Sequence, residues 1–162
     1  LCDVLGPGSH GTTYGGNPLG CAVALAVLRE IEAKSLCERS ASVGRSIVDT
    51  VNAWQHPLIA TARGVGLLIG FELNTDALQA TGRWTPDSGF GSMFIVKELM
   101  AAGLLTVAAG PAVVRWLPPL NVTDDEVATA LAIAALRGTL RAGHAPGPQN
   151  KSSRSVVNRL AC

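Results

Sequence analysis

Aromatic side chains make up only 4% of these 162 residues, and charged ones only 15%. So thin an aromatic set gives no platform on which nucleic-acid bases could stack. Lys and Arg number 13 against 12 Asp and Glu, a formal net charge of +1. No excess of one sign therefore draws the chain to nucleic acid or to an anionic membrane surface. The apolar run at 19–28 is far too short to span a bilayer. Cys2, Cys21, Cys37 and Cys162 form no C-x-x-C pair and no compact framework, and no signal peptide is legible. Thiols in a reducing cytoplasm are the expectation. No cluster of His, Cys, Asp or Glu has metal-ligand spacing, so no metal is expected. No internal repeat is visible.

What is present is apolar: 48% of the chain, at the usual length of one domain, enough for a sizeable core. The chain opens with Leu in mid-phrase, which suggests a piece of a longer protein. Residues 18–34 read as a helix, apolar on every face in its first half, and such a helix must be covered on all sides by another domain or subunit. A second helix is predicted at 38–54, with Val43, Ile47, Val48 and Val51 along one side. Residues 58–73 read as extended, with Gly64, Gly66 and Gly70 suggesting a bulge or a close backbone crossing. A polar surface loop is expected at 74–91, its clearest turn at 85–89. A helix at 92–102 should end in a Schellman close, with Gly103 at C′ and Leu104 folded back on Leu99. Short strands are predicted at 104–108 and 112–117, and Pro118-Pro119 forbids further central pairing. The last helix, to about Leu140, has a capping box in Thr123 and Glu126 and a hydrophobic staple in Val122 and Val127. A flexible tail follows at 142–162.

The stretch that organises the chain is His10-Gly11-Thr12-Thr13-Tyr14-Gly15-Gly16-Asn17-Pro18. Two glycines permit positive φ and close backbone approach. Asn17 is a preferred N-cap and Pro18 suits the first helical position. Two adjacent hydroxyls on such a loop can present donors to an anion. Equally, they can do no more than satisfy a tight turn.

The wording of the whole segment, Gly8 to Leu19, resembles the signature of the class III (ornithine-type) aminotransferases. The likeness continues, in order, at Arg63-Gly64-Val65-Gly66-Leu67-Leu68-Ile69-Gly70-Phe71-Glu72, at Gly103-Leu104-Leu105, and at Val114-Arg115-Trp116-Leu117-Pro118-Pro119-Leu120. It covers residues 1–141, as the C-terminal third of such an enzyme. The resemblance implies a PLP (pyridoxal 5′-phosphate) enzyme of fold type I, cytoplasmic, working as a homodimer. Its small-molecule partners would be an amino donor, N-acetylornithine or a similar ω-amino compound, and 2-oxoglutarate, as in arginine biosynthesis. Ornithine, 4-aminobutyrate or succinyl-diaminopimelate are the alternative donors, and a non-catalytic α/β interaction domain is the rival of another class.

By the same resemblance, Thr13 would bond the cofactor phosphate and Thr12 would touch the bound substrate, on a loop that reaches the neighbouring subunit's site. Arg115 would bond a substrate carboxylate bidentately; pairing with a structural acid is the equal alternative. Arg63 is read as structural and His10 as ordering its loop, while His56 and His144 carry no signal. The family's catalytic lysine, which forms the Schiff base and shuttles the proton, has no match in Lys34, Lys97 or Lys151. The expected partition is a cofactor and substrate loop at 1–17, a linking helix at 18–36, a small C-terminal α/β domain at 37–141 and the tail. That domain should hold a short, mostly antiparallel sheet covered by helices. Without the lysine, the chain alone should be inactive.

Overall fold

The structure, a computed structural model, describes Gly6, Gly8 and residues 10–138. The expected tail at 142–162, the last turn towards Leu140, and Cys2, His144, Lys151 and Cys162 lie outside the described residues. The chain divides into two units, Leu1–Leu36 and Cys37–Cys162.

The first unit is a loop and one helix, α1 (Pro18–Ala33). Asn17 starts it as its residue type dictates: the Gly20 N–H donates to Asn17 Oδ1 at 2.8 Å, and Pro18 takes the first helical position. Lys34 closes the helix and pairs with Glu30 one turn back. No residue of α1 is buried, and Leu19, Val23, Leu25, Val27 and Leu28 are each more than half exposed. The cover that so apolar a helix calls for is not supplied within the described residues of this unit, which hold no second element to pack on it.

The second unit carries the core. Helix α2 (Leu36–Ala53) buries Ile47 and Val51, with Val43 and Val48 packed beside them, along the stripe the 3.6-residue period requires. Strands β1 (Ile59–Val65) and β2 (Leu68–Leu73) pair antiparallel, Val65 opposite Leu68. The single extended run expected at 58–73 is therefore a hairpin. Its two-residue turn has Gly66 at φ +53° and no positive φ at Leu67, the pattern that places glycine first in a II′ turn. The register shift lies at Ile59/Thr61, away from the glycines, whereas Gly64 makes the close backbone crossing, where a Cβ would overlap Leu68 O and Ile69 Cα of β2.

The polar stretch after β2 is not all loop. Asn74 caps a short helix, α3 (Thr75–Ala80), by accepting from the Ala77 N–H at 3.0 Å. Leu78 and Trp84 then bury against Leu58 in a second small core. Hydrophobic anchors spaced through a polar segment folded it back onto the domain. The turn at 85–89 is present as a single 3-10 turn, Pro86–Ser88.

Helix α4 (Gly91–Ala101) ends as its sequence predicts. Gly103 has φ +92°, its N–H donates to Met100 O at 3.0 Å, and the Leu104 N–H donates to Leu99 O at 2.9 Å. Strand β3 is only Val107–Ala108, shorter than the 104–108 expected, because the Leu104 N–H is already spent on the helix end. Strand β4 (Val113–Trp116) stops before the double proline. The sheet order is β1-β2-β4-β3, antiparallel throughout.

Helix α5 (Asp124–Gly138) opens on the capping box: the Thr123 N–H donates to Glu126 Oε2 at 2.9 Å, and the Glu126 N–H to Thr123 Oγ1 at 3.3 Å. Alternation along β2 and β4 turns Ile69, Phe71, Leu73, Val114 and Trp116 into the core with Ile47, Leu99 and Ala130 of the helices. Phe71 and Trp116 meet edge to face, with centroids 4.8 Å apart. One face of the sheet is thus occupied, and the other leaves Arg63 and Arg115 exposed.

Candidate functional site

In the first unit the candidate site is the loop at 10–17. Gly16 stands at φ +74°, which favours glycine, and a Cβ on Gly15 would oblige the Thr12 side chain to move. Asn17 uses both ends of its amide locally, accepting from the Gly20 N–H and donating through Nδ2 to Tyr14 O at 2.6 Å. The loop's structural needs are met by Asn17 and the glycines. Thr12 and Thr13 are left exposed, and neither hydroxyl has a hydrogen-bond partner among the described residues.

Two adjacent neutral donors beside a glycine-permitted turn suit an anionic group that is to be held without neutralising it. A phosphate ester fits these residues. A covalent anchor for an aldehyde cofactor does not come from the same unit in an obvious place: Lys34 is tied to Glu30 at the far end of α1. Lys97 is exposed on α4 in the second unit.

Arg115 lies in the second unit, on β4, exposed and without a partner among the described residues. The register adds a neighbour that sequence reading set aside. Arg63 pairs with Gly70, and Gly70 pairs with Arg115, so the two arginines flank a residue with no side chain in one row across three strands. Strands spaced about 4.8 Å apart put their Cα atoms roughly 10 Å from one another. Arg63 is only loosely held, with Nε 3.7 Å from Glu72 Oε2 and its side chain mostly exposed. The arginine expected to be structural is therefore also accessible, beside the one expected to bind substrate, although Glu72 competes for it. Only the hairpin register reveals this, and that register follows from the Gly66-Leu67 turn.

Arg115 also borders a cavity of about 410 Å³ roofed by α5 and α2 residues and floored by the ends of β3 and β4. Thr12 and Thr13 adjoin one another in the first unit, and Arg115 belongs to the second. His10 is exposed on its loop, and the His56 ring accepts from the Leu58 N–H through Nδ1 at 3.1 Å. Among the described residues no helix is long and apolar enough to cross a membrane.

Comparison with known proteins adds five findings. Residues 1–136 match the family described as aminotransferase class-III. An acetylornithine aminotransferase of Synechocystis is 40% identical over 136 residues, which are 82% of this chain and 29% of that protein. An ornithine aminotransferase of Bacillus cereus is 38% identical over 128 residues, 77% of this chain and 28% of its own. Among solved structures, an acetylornithine aminotransferase of Elizabethkingia anophelis superposes with a TM-score of 0.68 at 31% identity, over 85% of this chain and 34% of that one. An ornithine aminotransferase of Toxoplasma gondii, whose structure shows partial occupancy of PLP at the active site, gives 0.67 at 32%, over 85% and 31%. The chain thus spans less than a third of the length of the curated relatives named here.

Proposed function

The chain belongs to the class III aminotransferases, which are PLP-dependent enzymes, and from that membership we propose that it is the C-terminal part of a transaminase acting on an ω-amino donor and 2-oxoglutarate. The donor is N-acetylornithine, and the setting arginine biosynthesis in the cytoplasm. The single observation that carries the reading is the Thr12–Thr13 pair, whose hydroxyls have no hydrogen-bond partner among the described residues in a loop that Asn17 and Gly16 already shape.

On this reading residues 1–17 carry the cofactor and substrate loop, α1 within 18–36 links it to a large domain, and 37–141 form the small domain, followed by the tail. Thr13 holds the cofactor phosphate with a neutral O–H donor, which leaves the dianion's charge intact. Thr12 orients the amino-acid substrate. Arg115 takes a substrate carboxylate through two parallel N–H donors, setting which end of the molecule points to the reacting carbon. When bound, PLP supplies an electron sink for the carbon beside the transferred nitrogen. The lysine that must move the proton is none of Lys34, Lys97 or Lys151, so it belongs to the rest of the enzyme. The loop serves the neighbouring subunit of a homodimer.

In the complete enzyme, Thr13→Val should weaken PLP retention roughly tenfold to a hundredfold, the worth of one hydrogen bond to a charged group. Thr12→Ala should instead mainly raise KM for the amino donor. The two effects exchanged, or neither seen, would overturn the assignment. This chain alone, mixed with PLP and reduced with borohydride, should show no specifically labelled lysine; labelling of Lys34 or Lys97 together with turnover would refute the division of labour. A second donor, ornithine, is favoured by the relatives named for it. The ratio of kcat/KM for N-acetylornithine over ornithine decides between them.

A further inference from the structure

Gly70 is a glycine that the backbone of its own sheet does not call for. Inside a strand, glycine forfeits packing and marks a bulge, a tight bend or a place where something approaches closely. The register runs unbroken through Gly70, which pairs with Arg63 on one side and Arg115 on the other. Gly70 does not take the positive φ of Gly66 or Gly103. A Cβ there would press on the Val113 side chain at 3.3 Å, and the one backbone atom within reach, Arg63 O, lies at 3.9 Å, an ordinary contact. Gly64, by contrast, is crossed by the backbone of β2. With bulge, turn and crossing strand set aside, what glycine provides at position 70 is room above the exposed face of the sheet.

That room has a cation on each side. Residues directly opposite in antiparallel strands point to one face, so Arg63, Gly70 and Arg115 share a row, and both arginines are exposed. Beyond Arg115 the row ends in Val107, exposed and apolar, which leaves Arg63 as its second charge. Elsewhere in the second unit, Arg39 and Arg83 are committed to Asp124 and Glu98 at 2.8 and 3.0 Å. Glu72 reaches Arg63 from the next row only at 3.7 Å, longer than a hydrogen bond. It offsets part of the repulsion between the two arginines, and an exposed contact of that length is given up at little cost.

Distance sets what the row can hold. The Cα atoms of Arg63 and Arg115 stand roughly 10 Å apart, and upright side chains keep about that separation. A lone carboxylate satisfied at one arginine leaves the other out of reach. A five-carbon diacid carries its two carboxyl carbons about 5 Å apart, across four zigzag bonds of about 1.5 Å. It fits between the two guanidinium groups, and a modest outward splay of both long side chains admits charge-assisted hydrogen bonds at each end.

We propose that Arg63 selects a dicarboxylate as the oxo acceptor: with the acceptor lying over Gly70, Arg115 takes one carboxylate and Arg63 the other. The amino donor, which has a single carboxylate, uses Arg115 alone. This role presupposes the transaminase reading and the Arg115 contact proposed above.

The complete enzyme is titrated calorimetrically with glutarate and with pentanoate, unreactive probes of the same five carbons bearing two carboxylates or one. The wild type should bind glutarate about tenfold more tightly, the lower end of what a hydrogen bond to a charged group contributes. Arg63→Gln should erase that difference while leaving pentanoate affinity and KM for the amino donor unchanged. Arg63→Lys, which keeps the charge but loses the fork, should restore part of it. Gly70→Val, which fills the space over the row, should weaken glutarate as Arg63→Gln does. Arg115→Gln should weaken both probes and raise KM for the donor. A glutarate preference that survives Arg63→Gln would overturn the proposal. So would equal losses for glutarate, pentanoate and donor in that variant, which would make Arg63 a structural residue. Failure of the underlying reading shows separately, as a wild-type enzyme that transfers no amino group to 2-oxoglutarate, or as an Arg115→Gln variant that loses nothing with any of the three.

Discussion

Gly44→Ala is the sharpest test of how the second unit is packed. Gly44 is buried in α2, facing the β1–β2 turn. A Cβ there would overlap the Gly66 carbonyl and stand 3.1 Å from Gly66 Cα. These are backbone atoms, so no rotamer change relieves the clash. The turn cannot readily withdraw either. Gly66 is held at φ +53°, and the Leu67 N–H donates to Ser40 Oγ of α2 at 3.2 Å, one helical turn before Gly44.

Two effects oppose one another. Alanine gains about 1 kcal/mol over glycine in a helix interior. Overpacking a dense core costs about 1–3 kcal/mol, and more where backbone must move. Shifting α2 also draws Ile47 and Val51, both nearly inaccessible, out of the core. The clash should win, with a net loss of about 1–3 kcal/mol, lowering Tm by roughly 4–20 °C for a domain of this size. Ser46→Ala, on the exposed side of the same helix, is the propensity control and should be neutral or slightly stabilising. Urea unfolding followed by circular dichroism measures both. If Gly44→Ala matches or exceeds the control in stability, α2 does not approach the turn as described.

Arg39 ties α2 to the start of α5, donating through Nη2 to Val122 O and to Asp124 Oδ1 at 2.8 Å each. Asp124 is 83% exposed, so most of the value should lie in the carbonyl contact: Arg39→Met should cost about 1–2 kcal/mol and Asp124→Asn under about 1 kcal/mol in chemical unfolding. Equal losses would locate the stabilisation in the ion pair instead. The bare apolar surface of α1 should make the isolated chain self-associate, and Val23→Glu with Val27→Glu should reduce the associated fraction in light scattering. A monodisperse wild-type monomer would refute that.

Local chemistry was the readable part of this fold. The Asn17-Pro18 start of α1, the Gly103 close of α4 and the Thr123–Glu126 box each depend on residues within five positions of one another, and each stands where it was expected. What could not be read this way was decided at longer range. The hairpin at 59–73 was hidden because a continuous apolar run with three glycines is equally consistent with one bent strand, and only its place beside β4 is set at long range. Helix α3 depends on Leu78 and Trp84 finding Leu58, twenty and more residues earlier in the chain. The row Arg63–Gly70–Arg115 exists only once both registers are fixed, and so the accessibility of Arg63 was invisible.

The two units divide the proposed recognition by charge, and physical chemistry gives a reason. A cofactor phosphate stays bound through turnover, so neutral hydroxyls on a glycine loop can hold it without drawing the surrounding charge out of balance. A substrate carboxylate must be recognised afresh at each turnover and told apart from uncharged groups, which is the task a bidentate guanidinium performs best. Gly70 matters to this second task. A side chain on that residue would stand between Arg63 and Arg115, and its Cβ would already press on Val113 Cγ1 at 3.3 Å. With glycine there, either guanidinium can lean across the gap, while Glu72 competes for Arg63 from the next row at 3.7 Å. An exposed arginine held that loosely by its own sheet gives up little to take a carboxylate. Arg115, with no competing acid among the described residues, gives up less still.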